Sequence, residues 1–191
     1  MNVYDFDKTI YDGDSTADFY LFSLKRHKKI LCLAPSLFGA FLKFYLFKKG
    51  TKTDFKQVMY RFLGCCDIDR DIADFWEINR SKIKKYYLRQ QKEDDVIISA
   101  SPEFLLEPIC DSLGIRFLMA SRVDKHTGVY SGINCHGKEK VRRFREKFPQ
   151  GKIGEFYSDS YSDTPLAEIA GKAFIVKGEQ LSEWVFDKKR N

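Results

Sequence analysis

The sequence reads as an α/β chain with a long helical insert near its start. Three observations carry this reading. Val3, Tyr4 and Phe6 open the chain with residues that suit a strand. Residues 14–91 then show helical periodicity and no convincing strand alternation. After a polar break at Glu93 to Asp95, the run Val96-Ile97-Ile98 is wholly apolar, as buried parallel strands are.

The opening strand runs into Asp5-Phe6-Asp7-Lys8-Thr9-Ile10. Side chains two apart on a strand share a face, so Asp5 and Asp7 are expected together near its end. Two acids that close repel unless something compensates, and hard oxygen ligands suit Mg²⁺. The bland alternative is an exposed strand end.

The insert comes next. Ala17 to Arg26 places Phe19, Tyr20, Phe22 and Leu24 at helical intervals. Asp54 to Leu63 does the same with Phe55, Val58, Met59 and Phe62, and Asp71 to Leu88 reads as helix interrupted at Asn79. Between them, Ile30 to Phe47 is dense in Leu and Phe and flanked by Lys28, Lys29, Lys48 and Lys49. It is short for a spanning helix and contains Pro35, Gly39 and Lys43. The leading expectation is a helical pair buried within the insert. An apolar surface resting on a membrane, or gathering a lipid-like substrate, is the alternative.

Beyond Val96-Ile97-Ile98, Ser99-Ala100-Ser101-Pro102 turns the strand into a helix running to about Leu113, with Ser101 as its cap. A strand entering a helix N-terminus makes an anion site from free backbone N–H groups. Arg116 to Val123 reads as a strand, and Thr127 to Ile133 as a small hairpin or meander. Asn134 to Val141 opens a helix with Val141, Phe144 and Phe148 on one face. A strand then leads to Ser158-Asp159-Ser160-Tyr161-Ser162-Asp163, and Thr164-Pro165 starts another helix. Ala173 to Val176 reads as a last core strand and Asp187 to Asn191 as a polar tail.

Bulk composition narrows the class. The 191 residues are 43% hydrophobic and 31% charged, ordinary for a folded domain with a small insert. Five cysteines, odd in number and without a Cys-x-x-Cys pair, read as reduced thiols in a cytoplasmic protein, and no signal peptide is expected before the first strand. The formal charge of +6 is uneven: residues 13–91 hold 16 Lys+Arg against 8 Asp+Glu, and the remainder 17 against 19. A basic insert attracts anionic substrates, nucleic acid or anionic membrane.

Asp5-Phe6-Asp7-Lys8-Thr9-Ile10 resembles the first motif of the haloacid dehalogenase (HAD) phosphatase superfamily, Asp-x-Asp-x-Thr followed by an apolar residue. The resemblance extends to three further motifs in the family's order. Ser99 at a strand tip matches the second. A lysine at a helix start matches the third, with Lys140 favoured over Lys138. Asp159 and Asp163 match the fourth, with Ser158 and Ser160 replacing its usual glycines. The similarity is to the phosphoserine-phosphatase-like branch, subfamily IB.

The resemblance implies a Rossmann-like core with a parallel sheet at 1–13 and 92–191, plus a small all-helical cap domain at 14–91. It implies Asp5 as nucleophile, Asp7 as general acid and base, and Ser99 and Lys140 as catalytic phosphoryl ligands. Asp14, Ser99, Ala100 and Lys140 would bind substrate. Asp5, Asp7, Asp159 and Asp163 would serve Mg²⁺, the last through a water or by ordering its loop. The activity implied is Mg²⁺-dependent hydrolysis of a small phosphorylated metabolite through an aspartyl phosphate. Lipid phosphate, of the phosphatidylglycerophosphate type, is the alternative substrate, and phosphotransfer to an alcohol the less favoured reaction. No nucleic-acid partner is expected, since a binder would leave the four motifs unexplained. Peripheral membrane contact through the cap remains open.

Overall fold

The computed structural model describes residues 1–186, except the side chain of Lys52; the tail expected at Asp187 to Asn191 lies outside them. Six strands form one sheet: β1 (Val3–Tyr4), β2 (Val96–Pro102), β3 (Phe117–Ser121), β4 (Ile153–Ser158), β5 (Ala170–Lys177) and β6 (Gln180–Glu183). Their order is β3-β2-β1-β4-β5-β6, all neighbours parallel except the final pair. This is a Rossmann-like sheet. Val3 pairs with both Val96 and Phe156, so β1 sits centrally and β1, β2 and β4 end on one edge. Ligand sites of open α/β sheets lie at that edge.

Parallel strands are buried on both faces, and the sequence shows it. Val3, Tyr4, Val96, Ile97, Ile98 and Phe156 are fully buried. On one face lie α7 (Lys138–Lys147) and α8 (Thr164–Ala167), which bury Phe144, Leu166 and Ala167.

The other face meets the insert. Its helices are α1 (Ser15–Arg26), α2 (Ala34–Phe41), α3 (Lys52–Tyr60), α4 (Ile68–Asn79) and α5 (Lys85–Gln90). A short 3₁₀ turn at Arg80–Lys82 follows Asn79, where the periodicity breaks. The insert is helical, as read, yet it is not sealed off from the sheet. Phe19, Phe75, Trp76 and Tyr87 belong to one hydrophobic cluster with Tyr4, Phe6, Ile97 and Leu105. The Trp76 indole N–H donates to the Leu105 carbonyl at 2.6 Å, which ties α4 to α6 (Glu103–Ser112).

Four local expectations are corrected. The strand Val96–Pro102 runs past Ser101, so Pro102 occupies the N-cap of α6 and Ser101 does not cap it. Thr127 to Ile133 does not fold back on itself; instead residues 129–131 pair antiparallel with residues 122–124 through a bridge from Val123 to Tyr130, the Asp124 N–H donating to the Val129 carbonyl and the Ser131 N–H to the Arg122 carbonyl. Side chains satisfy further groups: Asp124 accepts from the backbone of His126 and Thr127, and the Tyr130 N–H donates to Gln57 on α3. Gly128, at φ +73°, lies so close that a Cβ there would meet the Tyr60 backbone at 2.8 Å. This loop therefore braces α3. Gly178, at φ +59°, turns β5 into β6, an added edge hairpin.

The fourth correction concerns Ile30 to Phe47. A continuous helical run spans Lys28–Leu46, 3₁₀ at Lys28–Leu33, α-helical as α2, and π at Leu42–Leu46. It is not a buried pair. Within it only Ile30 is buried. The insert offers this run one packing surface, and the run is apolar on both sides.

Candidate active site

The site forms where β1, β2 and β4 end. β1 stops at Tyr4, and the chain turns at once, with the N–H groups of Ile10 and Tyr11 both donating to the Phe6 carbonyl. Lys8 adopts φ +57° in this turn. The two acids therefore do not stand side by side on an extended strand. Each is held by its own partners.

Asp5 faces the cation. Lys140 Nζ donates to Asp5 Oδ1 and to Asp163 Oδ2, both at 2.7 Å. Lys140 sits on the first turn of α7, just after Gly137 at φ +57°, and is 2% exposed. Lys138, two residues earlier, is exposed, so Lys140 is the lysine that reaches Asp5. Ser158 Oγ also donates to Asp163 Oδ2, at 2.9 Å.

Asp7 faces the insert. Its Oδ1 accepts the Ser15 backbone N–H at 2.7 Å, a free donor of the first turn of α1. Its Oδ2 accepts a short hydrogen bond from Ser101 Oγ. Thr16 Oγ1 lies 3.1 Å from the same Ser101 hydroxyl. Thr9 Oγ1 accepts the Asp159 N–H at 2.9 Å, joining the first turn to the loop after β4.

These groups line a cavity of about 290 Å³. Asp5, Asp7, Asp14, Lys140, Asp159 and Asp163 border it, as do Ala100 and Ser101. Ser99 is buried and is not among the lining residues; its hydroxyl accepts the Ser101 N–H at 3.1 Å. Asp14 serves α1 as N-cap, accepting the Ala17 N–H at 3.0 Å, while also bordering the cavity. The opposite wall comes from the insert: Tyr45, Phe55, Lys56 and Met59. The sequence marked Ser101 only as a helix cap, not as a partner of Asp7, and it did not mark this wall. Ser101 carried a signal, a hydroxyl at a strand tip. The wall depends on how the insert folds back.

Burial raises the cost of charge here. It pushes the Asp5 carboxyl up to about 7, with Asp163 and Asp7 adding to the rise while Lys140 opposes it. Burial, then the charge of Asp14, raises Asp7, with Ser101 and Ser15 opposing. Burial raises Asp159 as well. For Lys140, burial disfavours the ammonium, but Asp5 and Asp163 outweigh it and hold the lysine protonated. Three lysines, Lys8, Lys56 and Lys140, thus border the cavity beside five aspartates. Asp163 Oδ1 is buried with no hydrogen-bond partner. Hard oxygens in excess, facing one space, fit a small divalent cation such as Mg²⁺. Asp5, Asp7, Asp159 and Asp163 border that space.

The chain therefore combines a Rossmann-like sheet, an aspartate-rich cavity beyond β1 and a helical insert that walls it. Residues 3–168 match the haloacid dehalogenase-like hydrolase family, and the chain belongs to it. It is similar to protein CicA of Caulobacter vibrioides, 36% identical over 39% of this chain and 36% of that protein. It is also 35% identical, over 46% of this chain and 33% of the other, to a Mycobacterium tuberculosis protein named a probable phosphatase. The chain thus spans about a third of the length of these relatives. A phosphoserine phosphohydrolase-like protein of Francisella tularensis shares the fold, with a TM-score of 0.57 and 16% identity over 91% of this chain and 86% of that one.

Proposed function

We propose that this chain is a Mg²⁺-dependent phosphomonoester hydrolase that works through an aspartyl phosphate on Asp5. Its substrate is a small phosphorylated metabolite, as for phosphoserine phosphatases. The observation that carries the reading is the separation of the two acids: Asp5 lies against Lys140, and Asp7 against Ser15 and Ser101. A nucleophile needs a cation near the phosphoryl group it attacks. A proton donor needs a raised pKa and a different position. Asp5 and Asp7 meet these two needs.

An Asp5 oxygen attacks phosphorus and the ester P–O bond breaks. Asp7 gives its proton to the leaving alcohol. Asp7 then takes a proton from water, whose oxygen attacks phosphorus; inorganic phosphate leaves and Asp5 is restored. Lys140 offsets charge on the phosphoryl oxygens. Mg²⁺ would be held by Asp5, the Asp7 backbone carbonyl and Asp159, and would supply the rest of the charge neutralisation between carboxylate and phosphoryl group.

A second substrate reading, a phosphomonoester with an apolar tail, is favoured by Tyr45, Phe55 and Met59 on the cavity wall. Phosphate release from p-nitrophenyl phosphate, phosphoserine, a sugar phosphate and a lipid phosphate tests both. Turnover should require Mg²⁺ and vanish with EDTA. Asp5→Asn should lose at least about a thousandfold. Activity surviving both treatments would rule the mechanism out, and the preferred substrate selects the leaving group.

A further inference from the structure

The run Lys28–Leu46 is apolar on two sides. Ile30, Leu33, Leu37, Ala40 and Phe44 recur at helical spacing on its less exposed side. One residue on, Leu31, Ala34, Phe38, Phe41 and Tyr45 repeat the same spacing and face out. Leu31 is 56% exposed, Phe38 63%, Phe41 47% and Tyr45 53%, and the row continues into Leu46 and Phe47. A surface helix ordinarily turns polar residues outward. Here the outward side is the more aromatic one.

The surrounding charge has one sign. From Phe19 to Thr53 the chain has eight Lys+Arg and no Asp or Glu. Exposed lysines stand at both ends of the apolar row: Lys28 and Lys29 at one, Lys43, Lys48 and Lys49 at the other. An apolar row bracketed by lysines matches an anionic bilayer surface, with acyl chains under the row and headgroup phosphates at the lysines.

Among the described residues, this is the one helical run long and apolar enough to cross a membrane. The sheet forbids crossing. β1 precedes the run, β2 and β4 follow it, and β1 pairs with both. Both ends of the run must therefore return to the same side.

We propose that Lys28 to Phe47 docks the protein flat on an anionic phospholipid membrane. Tyr45 belongs both to the outward row and to the cavity wall, so docking brings the cavity rim to the lipid surface. The surface stands apart from the substrate reading, because binding does not require turnover.

The test is co-sedimentation of the full chain with vesicles of phosphatidylcholine, with and without 30 mol% phosphatidylglycerol. The anionic vesicles should bind at least about tenfold more tightly, and raising salt should weaken that binding. Leu31→Ser with Phe38→Ser should weaken it at least about tenfold, with an unchanged circular dichroism melt. Phe38→Trp should give a blue-shifted emission on anionic vesicles, quenched by brominated acyl chains. Equal, salt-independent recovery with both vesicle types, or no binding, would overturn the proposal. So would a dimer in sedimentation that Leu31→Ser with Phe38→Ser dissociates, since the row would then be covered by a second copy.

Discussion

The site floor and the outer helix of the insert place their side chains by opposite rules. At the floor, charged groups are buried and partnered: Lys140 lies between Asp5 and Asp163, and Asp7 between Ser15 and Ser101. On Lys28–Leu46, apolar groups are exposed and uncovered. Each departs from the usual partition of polar outside and apolar inside. The comparison teaches that such departures mark function in two ways. Buried charge costs free energy that a partner, a reaction or a bound ion must offset, whereas exposed apolar area is left for something to cover.

The floor should be the harder region to disturb. Lys140→Met leaves the Asp5 and Asp163 carboxylates buried beside each other, and stability should fall by about 3–5 kcal/mol. Melting without divalent ions checks this. Added Mg²⁺ should recover part of the loss in the variant, and a melt equal to wild type would break the contrast between regions. Phe75, fully buried beneath the insert against Phe19, Phe22 and Trp76, gives an apolar reference. Phe75→Ala should cost about 3–5 kcal/mol in urea unfolding. Phe38→Ser, at 63% exposure, should change unfolding by less than about 0.5 kcal/mol. A loss of several kcal/mol there would mean that the outer row is packing after all.

Asp7→Asn sharpens the division within the floor. If Asp7 is the proton donor, alkyl phosphates should suffer about 100-fold more than p-nitrophenyl phosphate, whose leaving group needs no proton. Equal losses would argue for a purely structural Asp7. A further effect concerns α7. Hydrogen bonds from Arg142, opposed by burial and reinforced by Arg143, pull the Glu139 carboxyl down to about 2. Its folded pKa lies below the unfolded value, so its stabilisation is present above about pH 4.5 and fades as pH falls toward 2. The acid limb of wild-type stability should therefore be steeper than that of Glu139→Gln, by roughly 1 kcal/mol overall. Superimposable limbs would show that the pair contributes nothing.

Much was legible in the linear order. Short apolar runs marked the strands because parallel strands bury both faces, and 3.6-residue periodicity marked the helices of the insert. Asp5, Asp7, Lys140, Asp159 and Asp163 stood out through their resemblance to the family's motifs in order; each alone reads as an ordinary strand-end or helix-start residue. The resemblance already favoured Lys140 over Lys138, and in the fold α7 turns Lys140 inward onto Asp5. Ser101 looked like a helix cap because capping and strand-end chemistry use the same hydroxyl. The extra length of β2 gave it to Asp7 instead.

The sequence by itself determined the element types, the acid-rich strand ends and the lysine-flanked apolar run, because local propensity and side-chain chemistry are written residue by residue. Tertiary structure alone decided three other things: which partner each acid meets, that Tyr45 and Phe55 wall the cavity, and that the apolar run lies uncovered. Periodicity reports that a helix has an apolar side. It does not report how many sides the rest of the chain has enough surface to cover, and here the insert covers one of two.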